Sequence, residues 1–297
     1  MNSFKKVAAT DKWKIEVKMN PLIGIDELLQ IKKNLILVDC RFDLMDPSKG
    51  QLDYLKSHIP GAFFVDLEKN LCKKDRVESD GRHPLTTKNS FLNLLKSFGV
   101  NDDSLIISYD NSDGIFSSRF WWMCRWIGHI KSGVLNGGYD AWVKKNLKLE
   151  TGERQNNARG NIKIRPNLSN EWNVQMIKSW VRNGSNREIC TLIDARNEDR
   201  FQGKFEPIDP KPGNIQGSIN RPYSKNLTTD GLFKNPNELR DEFEQILCGK
   251  HPTSVVHTCG SGVSACHNLV AMESAGLSGS SLFVGSWSQW CHEGIEE

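Results

Sequence analysis

The chain has 297 residues, of which 38% are hydrophobic and 25% are charged, and its formal net charge is +3. This length is about that of two ordinary domains, because single hydrophobic cores stop growing at roughly 250–300 residues. The small net charge gives no reason to expect a nucleic-acid or membrane partner, and no window reaches the roughly 18 consecutive apolar residues of a membrane helix.

Residues 1–20 are rich in lysine, contain no arginine and carry the acidic residues Asp11 and Glu16. They match a mitochondrial presequence poorly and lack the pattern of a secretory signal. We therefore predict an N-terminal tail or adaptor strand and a cytoplasmic protein, with a mitochondrial location as the alternative. In a reducing compartment the eight scattered cysteines are expected to be free thiols.

The next part of the chain, residues 21–150, shows features in a fixed order. An apolar run, Leu35–Asp39, predicts a buried strand, and a small turn follows at 57–62. Residues 89–98 have the apolar spacing of a helix and precede a second apolar run at 105–110. The part closes on a glycine–aromatic turn at 138–142.

Residues 174–297 repeat this order. Strand-like runs lie at 191–194 and 254–259, a turn lies at 213–218, a helical pattern covers 236–247, and a glycine–aromatic turn begins at Gly285. Strands that alternate with helices predict an α/β fold in which helices cover both faces of a mostly parallel sheet. We infer a duplicated domain, with the poorly apolar stretch 151–173 as the linker.

The loop that follows the last strand-like run, residues 259–264, is the strongest chemical signal in the chain. It begins at Cys259, contains Gly260 and Gly262, and precedes a predicted helix from Ala265 to Ala275. Glycines let successive backbone N–H groups point inward, and a helix N-terminus adds partial positive charge, so this loop should stabilise a thiolate. The alternative is that Cys259 is an inert residue ending a core strand.

A cysteine phosphatase would have a similar strand–loop–helix arrangement. That class needs an arginine six residues after the cysteine to bind the phosphate, but residue 265 is alanine. The other seven cysteines are interpreted as structural residues, and Cys266, one turn into the predicted helix, is interpreted as a core residue or a redox partner.

These motifs together resemble the two-domain rhodanese family. The sequence Cys-Gly-Ser-Gly-Val-Ser at 259–264 is similar to the Cys-Gly-Ser-Gly-Val-Thr of 3-mercaptopyruvate sulfurtransferases, whereas thiosulfate sulfurtransferases typically carry Cys-Arg-Lys-Gly-Val-Thr. The resemblance implies two tandem rhodanese-like domains. It also implies a non-catalytic N-terminal domain, in which Asp110 replaces the cysteine.

The resemblance further implies the activity. Cys259 would take sulfur from a small-molecule donor, 3-mercaptopyruvate, as a persulfide and pass it to a thiol, a thioredoxin-like protein or cyanide, with release of pyruvate. No cofactor or metal is expected. Ser261 and His58 are expected to assist catalysis, and Arg200 is expected to bind the donor's carboxylate. The remaining expected substrate contacts are Gly260, Gly262, Val263, Ser264 and Lys211.

One departure from the family pattern concerns the donor. A second substrate arginine is expected before the turn at 213–218, but residues 205–213 contain none. Lys204 or Lys211 is therefore the candidate for the second positive charge. A thiosulfate sulfurtransferase, a persulfide carrier and a non-catalytic interaction module are the alternatives.

Overall fold

A computed structural model describes residues 19–156 and 158–293, and most of the predicted tail at 1–20 lies outside these residues. The strands in the described part of the chain form two sheets of five strands each. The first sheet contains β1 (Leu22–Ile23), β2 (Leu35–Asp39), β3 (Ala62–Phe64), β4 (Leu105–Tyr109) and β5 (Ser132–Leu135). The second contains β6 (Asn170–Trp172), β7 (Thr191–Asp194), β8 (Ile219–Asn220), β9 (Val255–Thr258) and β10 (Ser281–Phe283).

Helices connect these strands. In the first half they are α1 (Ile25–Leu28), α2 (Lys49–Lys56), α3 (Lys88–Ser97), α4 (Ile115–Trp126) and α5 (Gly138–Lys144). In the second half they are α6 (Val174–Arg182), α7 (Glu198–Phe201), α8 (Pro236–Leu247), α9 (Ala265–Ser274) and α10 (Ser286–Glu293). No helix in the described ranges has the length and apolar character needed to cross a membrane.

The two sheets have the same topology. Their strand orders are β1-β5-β4-β2-β3 and β6-β10-β9-β7-β8, and all paired strands within both sheets are parallel. Each position in the first order therefore has its counterpart in the second. The predictions of an α/β fold and of a duplicated unit are confirmed. The predicted linker, 151–173, contains the edge strand β6 of the second sheet and ends one residue after it.

Local sequence explains where several of these helices begin. The Thr87 side chain accepts a hydrogen bond from the Ser90 amide at the start of α3. Asn235 does the same for α8, where Pro236 takes the first helical position. Capping side chains and a first-turn proline are common helix-start signals, because the first N–H groups have no partner inside the helix.

Buried apolar side chains form three clusters. Two are local, one in the first half around Ile107 and one in the second half around Phe283. The third cluster is shared, because it joins residues of β2, β4 and α4 with residues of β9 and α9. Helices α4 and α9 contact each other at its centre, and nearly every residue of both is buried. The two halves therefore share a core, which fixes how they face each other.

We expect Phe120→Ala to lower the free energy of unfolding by about 3–5 kcal/mol, because this side chain is fully buried in the shared core. Urea denaturation measures the change. Phe205→Ala is the matched control, since Phe205 is 60% exposed and should change stability by less than about 0.5 kcal/mol. Equal effects of the two substitutions would contradict the shared core.

Candidate active site

Cys259 follows strand β9 directly, and helix α9 begins six residues later at Ala265. The residue is only 1% exposed. Its Sγ atom accepts a hydrogen bond from the Gly262 amide at 3.1 Å. The loop therefore turns at least one backbone donor toward the sulfur, as the glycine pattern predicts.

Replacing Gly262 by a residue with a side chain would strain the Cys259 loop. Its φ is +73°, in the left-handed region, and a Cβ built there would lie 2.3 Å from the Val284 carbonyl oxygen. Its own carbonyl accepts a hydrogen bond from Arg119 Nη1 at 2.9 Å. Arg119 belongs to α4, so the other half of the molecule holds this turn in place.

The rest of the loop is fixed by the start of α10. The amides of Trp287 and Ser288 donate to the carbonyls of Cys259 and Gly260 at 2.9 and 2.8 Å. The Cys259 amide donates to Ser286 Oγ at 3.1 Å. These three bonds place the backbone of the cysteine before any substrate arrives.

A cleft of about 200 Å³ lies over the cysteine and is lined by residues of both halves. Ser261, Val263 and Ser264 line it from the Cys259 loop. From the first half of the chain come Leu44, Arg82, His83, Ile115 and Phe116. The opening is therefore formed between the two domains, so neither half contains the whole site.

Two guanidinium groups lie beside the Cys259 loop. A Cβ built on Gly260 would lie 2.8 Å from Arg82 Nη2 and 3.4 Å from Arg200 Nη2. Gly260 thus leaves room for both arginines. One comes from the segment before α3 and the other from α7, so positive charge reaches the cysteine from both domains.

Two carboxylates contact these arginines. Glu206 is bound by Arg200 through Nε at 3.1 Å and Nη2 at 2.7 Å. Asp209 contacts Arg200 Nη2 at 3.0 Å with one oxygen and Arg82 Nη1 with the other. Burial is the largest single influence on Glu206 and opposes its ionisation, but the hydrogen bonds from Arg200 and from the amides of Asp209 and Ile208 together outweigh it, so the pKa of Glu206 is lowered. Burial dominates at Asp209, whose pKa is raised although Arg82 favours the charged form.

A histidine of the first half contacts Ser261. His83 Nδ1 lies 2.7 Å from Ser261 Oγ, and His83 Nε2 lies 3.9 Å from Glu68 Oε1. Burial lowers the pKa of His83 to about 3, and the positive charges of Arg82 and Arg119 act in the same direction. The imidazole is therefore neutral at ordinary pH, and it can exchange a proton with the serine hydroxyl.

His58 is not at this site. Its ring stacks on Tyr54 with centroids 4.0 Å apart, its Nδ1 bonds the Tyr54 carbonyl at 2.8 Å, and its Nε2 faces Glu150. The sequence predicts that His58 assists catalysis, but the structure places it away from the Cys259 cleft, and the histidine bonded to Ser261 is His83. The dipeptide Arg82-His83 lies outside the motifs that carry the family resemblance. The sequence feature that could have indicated these two residues is the duplication, because a duplicated fold places loops of both halves at one cleft.

Lys211 also lies apart from the cleft. Its carbonyl oxygen accepts a hydrogen bond from Trp287 Nε1 at 2.9 Å, and neither Lys211 nor Lys204 is among the residues that line the cleft with Cys259. The sequence predicts the second positive charge at Lys204 or Lys211, but the second guanidinium beside the Cys259 loop is that of Arg82. The structure brings the other predicted residues together, since Arg200, Gly260, Ser261, Val263 and Ser264 line the cleft and Gly262 contacts the sulfur.

Asp110 holds the place in the first half that Cys259 holds in the second, at the end of the corresponding strand. Its carboxylate accepts hydrogen bonds from the amides of Ser112, Gly114 and Ser117 at 2.8–2.9 Å. The Ser117 hydroxyl donates a fourth bond. These donors leave the carboxylate saturated, and a carboxylate lacks the nucleophilic sulfur that the second half provides.

All eight cysteines are free thiols in the structure. Cys266 is fully buried, its Sγ lies 3.4 Å from the Gly262 carbonyl, and burial raises its pKa to about 12. The thiol is therefore protonated and has the surroundings of a core residue.

Comparison with protein-family models matches the rhodanese-like domain to residues 25–145 and 177–293. The chain is similar to a probable 3-mercaptopyruvate sulfurtransferase of Pseudomonas aeruginosa, with 38% identity over 86% of this chain and 89% of that one. It is also similar to a putative thiosulfate sulfurtransferase of Mycobacterium tuberculosis, with 32% identity over 89% and 90% of the two chains.

Two solved sulfurtransferase structures are also similar to this chain. The 3-mercaptopyruvate sulfurtransferase from Leishmania major superposes with a TM-score of 0.77 at 28% identity, over 90% of this chain and 73% of that one. A 3-mercaptopyruvate sulfotransferase of Escherichia coli with the rhodanese fold superposes with a TM-score of 0.73 at 28% identity, over 91% and 99% of the two chains.

We expect Gly262→Ala to lower the free energy of unfolding by roughly 1–3 kcal/mol more than Gly152→Ala, because it adds a clash with the Val284 carbonyl to the backbone strain. Gly152 is the matched control, since its φ is +83° but a Cβ there meets no atom within 4 Å. Urea denaturation gives both values. Alkylation of Cys259 by iodoacetamide should also slow in Gly262→Ala, and equal behaviour of the two variants would contradict this account of the loop.

Proposed function

The chain belongs to the rhodanese-like family and is a sulfurtransferase, and we propose that its sulfur donor is 3-mercaptopyruvate. In this proposal Cys259 takes the sulfur as a persulfide, and a thiol, a thioredoxin-like protein or cyanide removes it. The observation that carries the proposal is the pair Arg82 and Arg200 beside a loop whose own residues, Gly260 and Ser261, are uncharged.

The two arginines suit the carboxylate of the donor. Guanidinium groups bind carboxylates through two parallel hydrogen bonds, which fixes the orientation of the ligand as well as its position. With its carboxylate held by Arg82 and Arg200, a three-carbon thiol can reach Cys259, because both guanidiniums lie against the neighbouring Gly260. The cleft volume of about 200 Å³ suits a donor of this size.

The transfer step is a displacement at sulfur. The Cys259 thiolate attacks the sulfur of mercaptopyruvate, a new S–S bond forms, and the C–S bond of the donor breaks. The electron pair of that bond passes to carbon as the enolate of pyruvate. The proton of the donor's thiol, lost as the persulfide forms, balances the one that converts the enolate into pyruvate. The acceptor thiolate then attacks the outer sulfur of the persulfide and returns Cys259 as a thiolate.

Ser261 and His83 are placed to handle the proton. Ser261 Oγ is 2.7 Å from Nδ1 of the neutral His83 ring. With hydrogen on Nδ1, the ring can give that proton to Oγ as the hydroxyl gives its own to the developing enolate, while Nε2 takes up a proton in exchange. Arg119 Nη2 donates to the His83 carbonyl at 3.0 Å and keeps the histidine beside the Cys259 loop.

A thiosulfate sulfurtransferase is the second candidate. It is favoured by the same second guanidinium, because Arg82 adds positive charge that a dianionic donor would use. The putative thiosulfate sulfurtransferase of Mycobacterium tuberculosis also matches most of the chain. The loop itself still offers thiosulfate no charged side chain at positions 260 and 261. A non-catalytic interaction module, in contrast, would have no need for a cysteine held by backbone donors at the floor of a cleft.

The proposal is tested by side-by-side kinetics with the two donors. We expect kcat/KM for mercaptopyruvate, measured as pyruvate release with a thiol acceptor, to exceed that for thiosulfate, measured as thiocyanate release, by at least about tenfold, or ~1.4 kcal/mol in the barrier. Mass spectrometry should find one added sulfur atom on the intact chain and none on Cys259→Ser. Cys291→Ser, which alters another buried cysteine, should still gain the sulfur. A preference for thiosulfate would reverse the donor assignment, and no adduct with either donor would favour the interaction module.

The role of His83 has its own matched control, because His58 is also buried and hydrogen-bonded. We expect His83→Gln to lower kcat/KM for mercaptopyruvate by roughly 10²–10⁴, the usual contribution of a positioned proton-transfer group. His58→Gln should leave kcat/KM nearly unchanged once the folded fraction is measured. Cys259 should be alkylated at the wild-type rate in His83→Gln, because the proton step is lost and the nucleophile is not. A loss of activity in His58→Gln equal to that in His83→Gln would contradict the assignment.

A further inference from the structure

The carboxylate of Asp209 lies between the two arginines that face the Cys259 loop. One oxygen contacts Arg82 Nη1 and the other lies 3.0 Å from Arg200 Nη2, so each oxygen bonds a different guanidinium. The side chain is 1% exposed. This arrangement is the one that a donor carboxylate bound by both arginines would adopt.

We propose that Asp209 is an internal competitor of the donor, occupying the carboxylate site of the cleft until an incoming anion displaces it. The proposal rests on the proposed function, since it concerns the same pair of arginines, and it names a residue that sets the affinity and selectivity of that site. The occupant that must be displaced is a carboxylate, so the ligand that displaces it best is an organic acid.

Asp209 is not needed to orient Arg200. Glu206 already binds Arg200 through Nε and Nη2, and it also accepts the amides of Ile208 and Asp209 at 3.1 and 3.0 Å. Arg82 is held through its backbone, because its amide donates to Ser288 Oγ at 3.1 Å. Both arginines therefore keep anchors when the Asp209 carboxylate leaves.

The carboxylates of Glu206 and Asp209 also differ in how strongly their surroundings stabilise the charged form. The pKa of Glu206 is lowered, because Arg200 and the amides of Asp209 and Ile208 together more than offset the cost of burying it. At the Asp209–Arg82 pair, burial raises the pKa of Asp209 and lowers that of Arg82, so desolvation exceeds the attraction on both sides. A buried pair of this kind adds little net stability. Asp209 is therefore the carboxylate that a ligand can replace.

Charge balance explains the consequence for the donor. Three guanidiniums, those of Arg82, Arg196 and Arg200, are paired with the three carboxylates of Asp194, Glu206 and Asp209. Positive and negative charges are thus equal among these six side chains while Asp209 is in place. A donor carboxylate that displaces Asp209 replaces one set of ionic interactions with another, so its net gain is only the difference between the two. Asp209 therefore weakens the binding of every small anion.

The test needs no turnover. Pyruvate is the probe, and its binding is measured as protection of Cys259 from iodoacetamide in the full-length protein. We expect Asp209→Asn to lower the pyruvate concentration that gives half protection by roughly three- to tenfold, and to lower KM for mercaptopyruvate by a similar factor. Asp199→Asn is the matched control, because it removes the same charge from an exposed residue next to Arg200 and should change neither value.

The opposite outcome has a clear meaning. If Asp209 only positions the arginines, Asp209→Asn will bind pyruvate more weakly, and the proposal is overturned; unchanged protection overturns it as well. Thermal unfolding of both variants shows whether the fold is intact, and Asp209→Glu, which keeps the charge, should retain weak pyruvate binding. If wild-type protein turns over mercaptopyruvate but Asp209→Asn binds pyruvate no better, the competitor fails and the proposed function stands. If pyruvate protects Asp209→Asn at lower concentrations but the wild-type protein does not turn over mercaptopyruvate, the competitor role stands and the proposed function fails.

Discussion

The arrangement of the site depends on one buried guanidinium. Arg119, on helix α4 of the first half, donates to the carbonyl of Gly262 in the Cys259 loop and to the carbonyl of His83 in its own half. It is fully buried, so these bonds form away from water, where an unpaired charge would be costly. The loop that carries the sulfur and the segment that carries the histidine are therefore held at a fixed distance, and the cleft exists only while α4 and α9 stay packed.

The duplication gave two copies of one loop architecture, and the copies differ in the group that the loop surrounds. In the first half the backbone amides surround the Asp110 carboxylate, which accepts four hydrogen bonds. In the second half a backbone amide faces the Cys259 sulfur, which can form and release a bond. The first half contributes to the site through Arg82, His83 and Arg119 instead of through its own loop.

The features that were predictable from the sequence are those set by local pattern. Strand β2, helix α8 and the Cys259 loop follow from apolar spacing, capping residues and glycines, and the repeated order of these features predicts the duplicated sheet. His83 and Arg82 were not predictable in this way, because their contacts join residues more than a hundred positions apart. His58 lies in a family-like turn, but stacking on Tyr54 and the bond to its carbonyl direct it elsewhere.

The shared core has a consequence for synthesis on the ribosome. Helix α4 carries Phe120, Trp121 and Trp122, and its partner α9 follows about 140 residues later. At roughly 5–20 residues per second, the face of α4 that packs against α9 waits about 7–28 s for its partner to be made. During that interval the newly made first half exposes a surface that other nascent chains and chaperones can bind. Folding of the sulfurtransferase is complete only after translation has passed α9, so the order of synthesis sets when the cleft first forms.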